Sequence, residues 1–183
     1  MGQNGLLLLV IGGVVLVFLL WYIATSNKLN RTVVKIDEAD SGIDVALTKR
    51  YDVLTKMIDT IKAYSKHEKD TMFEVINLRK GMTLEEKNKE NSKMSHNFEK
   101  INIIAESYPE LKSSENYKVL QQSIADVEEH LQAARRMYNS NVSIYNQMLV
   151  TIPSCFVASL LGLKEKNFFV ADEIKKNNLK IKL

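Results

Sequence analysis

From Met1 to Asn27 the chain carries no charged side chain, and the stretch from Gly5 to Ala24 is almost wholly apolar. About 20 such residues wound as an α-helix reach roughly 30 Å, the thickness of a bilayer's hydrocarbon core. A chain holding this stretch must bury it in protein, lose it by cleavage, or place it in lipid. Burial is disfavoured, because the core helix of a soluble domain is rarely apolar on every side. Cleavage as a secretory leader is disfavoured as well. No Lys or Arg precedes the run, the run exceeds the usual h-region of about 7–15 residues, and Ile23-Ala24-Thr25 is a poor small-x-small site. The sequence therefore predicts a transmembrane anchor. Leu6, Leu9, Val14, Val17 and Leu20 lie within it, and Trp21 and Tyr22 close it at headgroup level.

Charge then sets the orientation. No basic side chain stands before the apolar run, whereas Lys28, Arg31 and Lys35 follow it. The positive-inside rule places the remainder of the chain in the cytoplasm, attached to the cell membrane by a single pass. Met1-Gly2 does not make a myristoylation site, since Leu6 stands where Ser or Thr is required.

Beyond the anchor the chain reads as helices. Seven glycines and two prolines in 183 residues leave little punctuation for strands and turns. Ile43, Leu47, Leu54, Ile58 and Ile61 share one helical face, with Arg50 beside it, and Val75 and Met82 extend the stripe. Gly81 can end that helix at a left-handed position, and Thr83 with Glu86 reads as a capping box opening the next. Met94, Phe98, Ile101, Ala105 and Tyr108 form the second stripe, stopped by Pro109.

The third stripe is the clearest. It runs through Tyr117, Leu120, Ile124, Val127, Leu131, Ala134, Tyr138, Asn141, Tyr145, Met148 and Ile152, with Ser113 or Ser114 as cap and Pro153 as stop. Phe156 to Leu163 is a short apolar stretch, expected to fold over the bundle end rather than touch a membrane. Asn167 to Lys176 reads as a last short helix. No Pro/Gly linker separates anchor from bundle, and Gly42 is the one soft point.

The predicted fold is all-α: an N-terminal transmembrane helix followed by an antiparallel helical bundle of three long helices and a short C-terminal one. The expected divisions are 1–27 for the anchor with its short N-terminus, 28–176 for the bundle, and 177–183 for a basic tail.

Several ordered motifs resemble the LemA family. They begin with Ile43-Asp44 through Arg50, then Tyr64 with His67-Glu68, then Leu78-Arg79. They continue with Glu106-Ser107-Tyr108-Pro109-Glu110, Arg135-Arg136-Met137-Tyr138-Asn139, Tyr145-Asn146, Pro153-Ser154 and Asn167-Phe168-Phe169. The resemblance covers nearly the whole chain. Two family features are missing: an Ile-Pro-Asn-Leu run, where Leu54-Thr55-Lys56-Met57 stands, and a Tyr-Asn pair just after the anchor. What the resemblance implies is a bacterial membrane protein with one anchor and a helical bundle. It implies no established activity.

The sequence offers little to chemistry. The positions three before His67, His96 and His130 hold Tyr64, Lys93 and Val127, so no Glu-x-x-His motif is present for a di-iron bundle. Thr71 replaces the second histidine that His67-Glu68 would need for a zinc motif. Cys155 lies in apolar surroundings, where an inert thiol is the default. No phosphate-cradling glycine loop or nucleophile elbow appears. With 25 basic and 22 acidic residues there is no concentrated basic face for nucleic acid.

Arg50, Arg79, Glu106, Arg135 and Asn141 lie on or beside the stripes. They are expected to pair between helices, with a bound anion as the alternative. Tyr138 and Tyr145 are expected in the core. The expected function is a non-catalytic structural or protein-interaction module of the cell envelope, without cofactor or metal. Its partners would be the lipid bilayer through the anchor and either an envelope protein or a second copy of the chain. A helical-bundle enzyme or metal protein, and an exported domain with a cleaved leader, are the alternatives.

Overall fold

The computed structural model describes residues 3–64 and 73–169. Those residues form an all-α fold with no strand among them. The helices are α1 (Gln3–Tyr64), α2 (Leu84–Ser107), α3 (Pro109–Ser113), α4 (Glu115–Val150) and α5 (Ser154–Leu160). In keeping with the lack of a Pro/Gly linker after Asn27, α1 continues unbroken through Gly42 for 62 residues. No proline stands at Leu54–Met57, and both Leu54 and Met57 are core residues of an uninterrupted helix.

The N-terminal part of α1 is long and apolar enough to cross a membrane, and its most apolar stretch is not buried among the described residues. Leu9, Val14, Val17 and Leu20 are all exposed, and Trp21 and Tyr22 are half-buried. The Phe18 and Trp21 rings pack at 5.3 Å between centroids. The side chain of Leu6 lies outside the described residues, as does that of Tyr64; His67 and Glu68 lie outside altogether.

The chain folds as two compact units, and α1 and α4 contribute to both. The first takes α1 up to Ala39 together with Tyr138–Phe168. Its core is Leu29, Ile36 and Ala39 against Val142, Tyr145 and Met148, with Val157 and Ala158 of α5. Here α4 runs antiparallel to α1. Asn141 Nδ2 donates to the Lys35 carbonyl at 3.1 Å, and Thr32 Oγ1 donates to Met148 Sδ at 3.9 Å. Val142 takes the core place on the expected stripe and leaves Asn141 half-buried, while Ile152 is exposed beyond the helix end.

The second unit takes Asp40–Met137 with Phe169. Ile43, Ala46, Leu47, Leu54, Met57 and Ile61 of α1 meet a core that includes Met94, Phe98 and Ile101 of α2 and Tyr117, Val127 and Leu131 of α4. Leu131 is buried and its neighbour Gln132 exposed, so the α4 stripe has the expected register. In this unit α2 runs in the same direction as α1. Lys87 meets Asp40 and Asp44, and further along Asn91 and Ser95 meet Arg50.

That parallel pairing corrects an expectation. Val75 and Met82 do not extend the first helix, because residues 74–79 carry no regular structure and run back along α2. Val75 is 73% exposed. Gly81 does adopt a left-handed φ of 77°, but in the turn that closes this return segment rather than at a helix end. Thr83 and Glu86 form the expected capping box: Thr83 N donates to Glu86 Oε2 at 2.8 Å, and Glu86 N to Thr83 Oγ1 at 3.3 Å.

Tyr108 closes α2, and Pro109 sits at the first position of α3, where its missing N–H costs nothing. Of the two candidate serines, Ser114 caps α4 by accepting from Tyr117 N at 3.3 Å. The short helix after α4 lies at Ser154–Leu160 instead of beginning at Asn167. Gly162, with φ 64°, ends it in a Schellman turn, with Leu163 N donating to Ala158 O and Gly162 N to Ser159 O. Asn167–Phe169 is non-helical, and the rest of that expected helix, with the basic tail, lies outside the described residues.

Candidate functional site

The second unit holds a buried polar junction centred on Arg50, which is 4% exposed. Its place follows from the register of α1, where position 50 falls between Leu47 and Leu54 on the inward face. A guanidinium has five N–H donors in a fixed fork, and here it makes four hydrogen bonds and an ion pair. Nε donates to Glu128 Oε1 at 2.8 Å, and Nη2 meets the same oxygen at 2.6 Å and Ser95 Oγ at 3.0 Å. Nη1 donates to Asn91 O at 2.9 Å and Asn91 Oδ1 at 2.5 Å. The Phe98 ring lies 5.3 Å from the guanidinium carbon. One side chain thus ties α1 to α2 and to α4. Each nitrogen of the fork has a protein partner.

Lys87, another buried cation, comes from the start of α2. Its Nζ stands 2.8 Å from Asp40 Oδ1 and 2.7 Å from Asp44 Oδ1. Burial pushes this ammonium's pKa down, but hydrogen bonds and attraction from the two carboxylates more than reverse that, and it stands above the ordinary value.

The return segment is held by side chains that act as a strand's partner would. Asn97 Oδ1 accepts from Glu74 N at 2.8 Å while its Nδ2 donates to Glu74 O at 2.9 Å. Glu90 Oε2 accepts from Asn77 N at 2.8 Å, and Lys93 Nζ reaches both Glu90 and the Val75 carbonyl. Burial raises the Glu90 carboxyl's pKa, but the Lys93 ammonium and the Asn77 amide outweigh it and hold it below the usual range. Between this segment and α1 lies a cleft of about 500 Å³. Leu47, Tyr51, Leu78 and Met82 form its apolar lining, and its rim carries Asp52 and Lys80.

The first unit repeats the amide clamp. Asn146 Nδ2 donates to Lys166 O at 2.9 Å and its Oδ1 accepts from Lys166 N at 3.0 Å. Tyr138 Oη donates to Asn167 O at 3.3 Å. Tyr138 and Tyr145 are both buried, and burial raises the Tyr145 pKa.

The five polar residues singled out from the sequence are therefore not one site. Arg50 is the centre of the junction, and Asn141 bridges α4 to α1. Arg135 stands over the Phe169 ring, 4.9 Å from its centroid. Arg79 is a correction: it is largely exposed on the return segment and pairs with Glu86 at the start of α2, not between packed helices. Glu106 is another. It faces solvent near the end of α2, off the stripe of Ile101, Ile104 and Ala105, and is not buried between helices.

The sequence reading overlooked Lys87, Asn91 and Asn97. The signal was register: Lys87, Asn91, Met94, Phe98 and Ile101 step by four and three, so the first two are inward positions occupied by polar residues. Asn139 and Asp44 of the family-like motifs are half-buried and exposed respectively, and Ile43 is core. Among the described residues no group of three or more His, Cys, Asp or Glu side chains is placed to hold a metal ion.

Comparison with known proteins follows the same outline. The model of the LemA family matches residues 39–183. Protein LemA of Metamycoplasma hominis is 28% identical over 165 residues, covering 87% of this chain and 75% of that protein. The magnetosome protein MamQ of Magnetospirillum gryphiswaldense is 27% identical over 70 residues, a match that spans 38% of this chain and 26% of that protein.

Proposed function

The chain belongs to the LemA family, and from that premise we propose that it is a membrane-tethered structural and interaction module, without catalytic activity of its own. The observation that carries this reading is the N-terminal part of α1, whose large apolar side chains from Leu7 to Leu20 are exposed on all sides. Keeping that surface in water would cost roughly 25 cal/mol per Å² of apolar area. Lipid removes the cost without any partner protein.

In the first unit α1 continues from this surface into the core at Leu29, Ile36 and Ala39, so the apolar surface and that core lie on one helix. The protein-paired Arg50 fork and the paired Lys87 support a structural reading of the polar interior over a ligand-binding one. The cleft beside the return segment supports an interaction surface, offering an apolar floor with charges of both signs at its rim. A helical segment of an envelope protein, or of a second copy, is the kind of partner it would take.

Lys28, Arg31 and Lys35 support a cytoplasmic bundle. The test is protease added to intact spheroplasts. The bundle should be spared while a periplasm-facing control is digested. Digestion of the bundle with a cytoplasmic control intact would reverse the orientation. Loss of the chain from membranes in an alkaline carbonate wash would sink the anchor itself.

A further inference from the structure

We propose that α5 and the turn before it form a second membrane contact, inserting Ile152, Phe156 and Leu160 into the headgroup–acyl boundary beside the anchor. The proposal rests on the anchor reading above and adds a surface that the anchor does not require. Three observations within the first unit carry it.

The first is composition. From Val150 to Leu163 there is no charged side chain, and Lys164 and Lys166 follow at once. The second is exposure. Ile152, Phe156 and Leu160 recur every four residues and are 76%, 67% and 75% exposed. The core is supplied by Val157 and Ala158 on the other side of α5. The stretch therefore does cover the bundle end, as its sequence suggests, but with its small face. Its large apolar face is turned away from protein.

The third is level. In this unit α4 runs antiparallel to α1, so each step toward its C-terminus leads back toward the uncovered apolar surface. Met148 stands beside Thr32. From Thr32 back to Ala24, where the apolar run ends, is 8 residues, about 12 Å of helix. Val150 lies past Met148 in that direction, and α5 begins at the same end of α4, Ser154 Oγ donating to Met148 O at 2.7 Å. The proposal sets the exposed face of α5 at the bilayer interface, where amphipathic elements bury their apolar side by about 5–10 Å.

The charge nearby suits phospholipid headgroups. Lys28, Arg31 and Lys35 line a cleft of about 550 Å³ on the same part of α1, floored by Ala24 and Ile144. Cations one to three turns beyond an apolar span lie where lipid phosphates are found.

The experiment uses the full chain in vesicles containing anionic phospholipid, with a nitroxide on a single cysteine. Native Cys155 is replaced by Ser, and cysteine is introduced by Leu160→Cys, Phe156→Cys, Leu16→Cys or Ser140→Cys, all at exposed positions. Collisions with oxygen, which concentrates in lipid, are compared with those of a water-soluble nickel chelate. The labels at 160 and 156 should favour oxygen over nickel several-fold relative to the label at 140, approaching the label at 16. Nickel accessibility at both 160 and 156, with the label at 16 in lipid, overturns the proposal and leaves the anchor standing. Nickel accessibility at 16 overturns the anchor reading and this proposal with it. Shielding of 160 from both reagents, with spin–spin broadening between chains, means that a second copy covers the face and also overturns it.

Discussion

The two ends of α1 have the same backbone geometry and opposite surface chemistry. From Leu7 to Leu20 its large apolar side chains are exposed in every direction. From Leu29 to Ile61 most gather on one buried stripe at helical spacing, through Ile36, Ile43, Leu47, Leu54 and Met57, while Val34 and Val45 stay exposed off it. Helix formation does not distinguish these segments; the angular distribution of apolar residues does. An all-round apolar surface has no inside, and none of its large apolar side chains from Leu7 to Leu20 is buried among the described residues. A stripe has an inside, and α2 and α4 fill it. The lesson is that exposure alone does not identify a surface's solvent, and substitutions that change one side chain at a time can.

The largest effect is expected where the stripe contains a charge. Arg50→Ala would leave Glu128, Asn91 and Ser95 facing an empty fork. Breaking a buried ion pair costs about 3–5 kcal/mol, and the partial exposure of Glu128 puts this pair at the lower end. Lys49→Ala, one residue away and exposed, should stay within about 0.5 kcal/mol. Denaturant melts of both variants decide the matter. Similar losses would mean that the inward face of α1 has been assigned wrongly.

A second pair tests the solvent itself. Leu16 and Val45 are both 57% exposed, one at each end of α1. Leu16→Arg should cost about 2.5–3.5 kcal/mol of membrane insertion, the usual value for arginine near a span's centre. Val45→Arg should shift bundle stability by no more than about 0.5 kcal/mol. The readouts are the membrane-retained fraction for the first and a urea melt for the second. If Leu16→Arg is retained as well as the parent chain, the N-terminal part of α1 does not lie in lipid.

The same contrast explains what could be read from the sequence. The α4 seam was legible because each of its positions is decided by neighbours three and four residues away. Thr83 and Glu86 were legible because caps are local, and the same reasoning narrowed the α4 cap to Ser113 or Ser114. The return segment was not, since Val75 and Met82 happen to fit a helical period. What holds Glu74 is an amide at Asn97, 23 residues distant, and no local pattern announces such a clamp. Arg50 could be placed beside a stripe, but Glu128 as its partner could not, being 78 residues away. The uncovered face of α5 was illegible for a third reason. An apolar stretch after a helix reads as core until the structure shows which of its sides is occupied.

The return segment supplies a smaller, pH-dependent effect. Glu90 has a pKa held below its ordinary value, so the folded chain binds fewer protons there than the unfolded one. Its contribution is therefore fully present above the unfolded value, about 4.3, and is lost as pH falls through the lowered folded value. Glu90→Gln should flatten the acid side of the stability profile and leave the neutral side with little slope of its own. Denaturation midpoints from neutral pH down to about 3 measure it. An unchanged acid slope would show that the Asn77 and Lys93 contacts do not hold the carboxylate in solution.

The smallest expected effect concerns Gly42, the one glycine in the water-facing part of α1, and here the sign matters more than the size. The position is helical and exposed, and a Cβ added there meets nothing within 4 Å. Glycine in a helix interior costs about 0.5–1 kcal/mol relative to alanine, because more backbone freedom is lost on folding. Gly42→Ala should therefore stabilise the bundle by about that amount, read as a higher urea midpoint with an unchanged slope. Gly12 and Gly13 also have open surroundings, but they lie in the uncovered apolar part, so Gly13→Ala should leave the same midpoint where it is. Were Gly42→Ala to destabilise instead, the helix would need a bend or a close approach at that point.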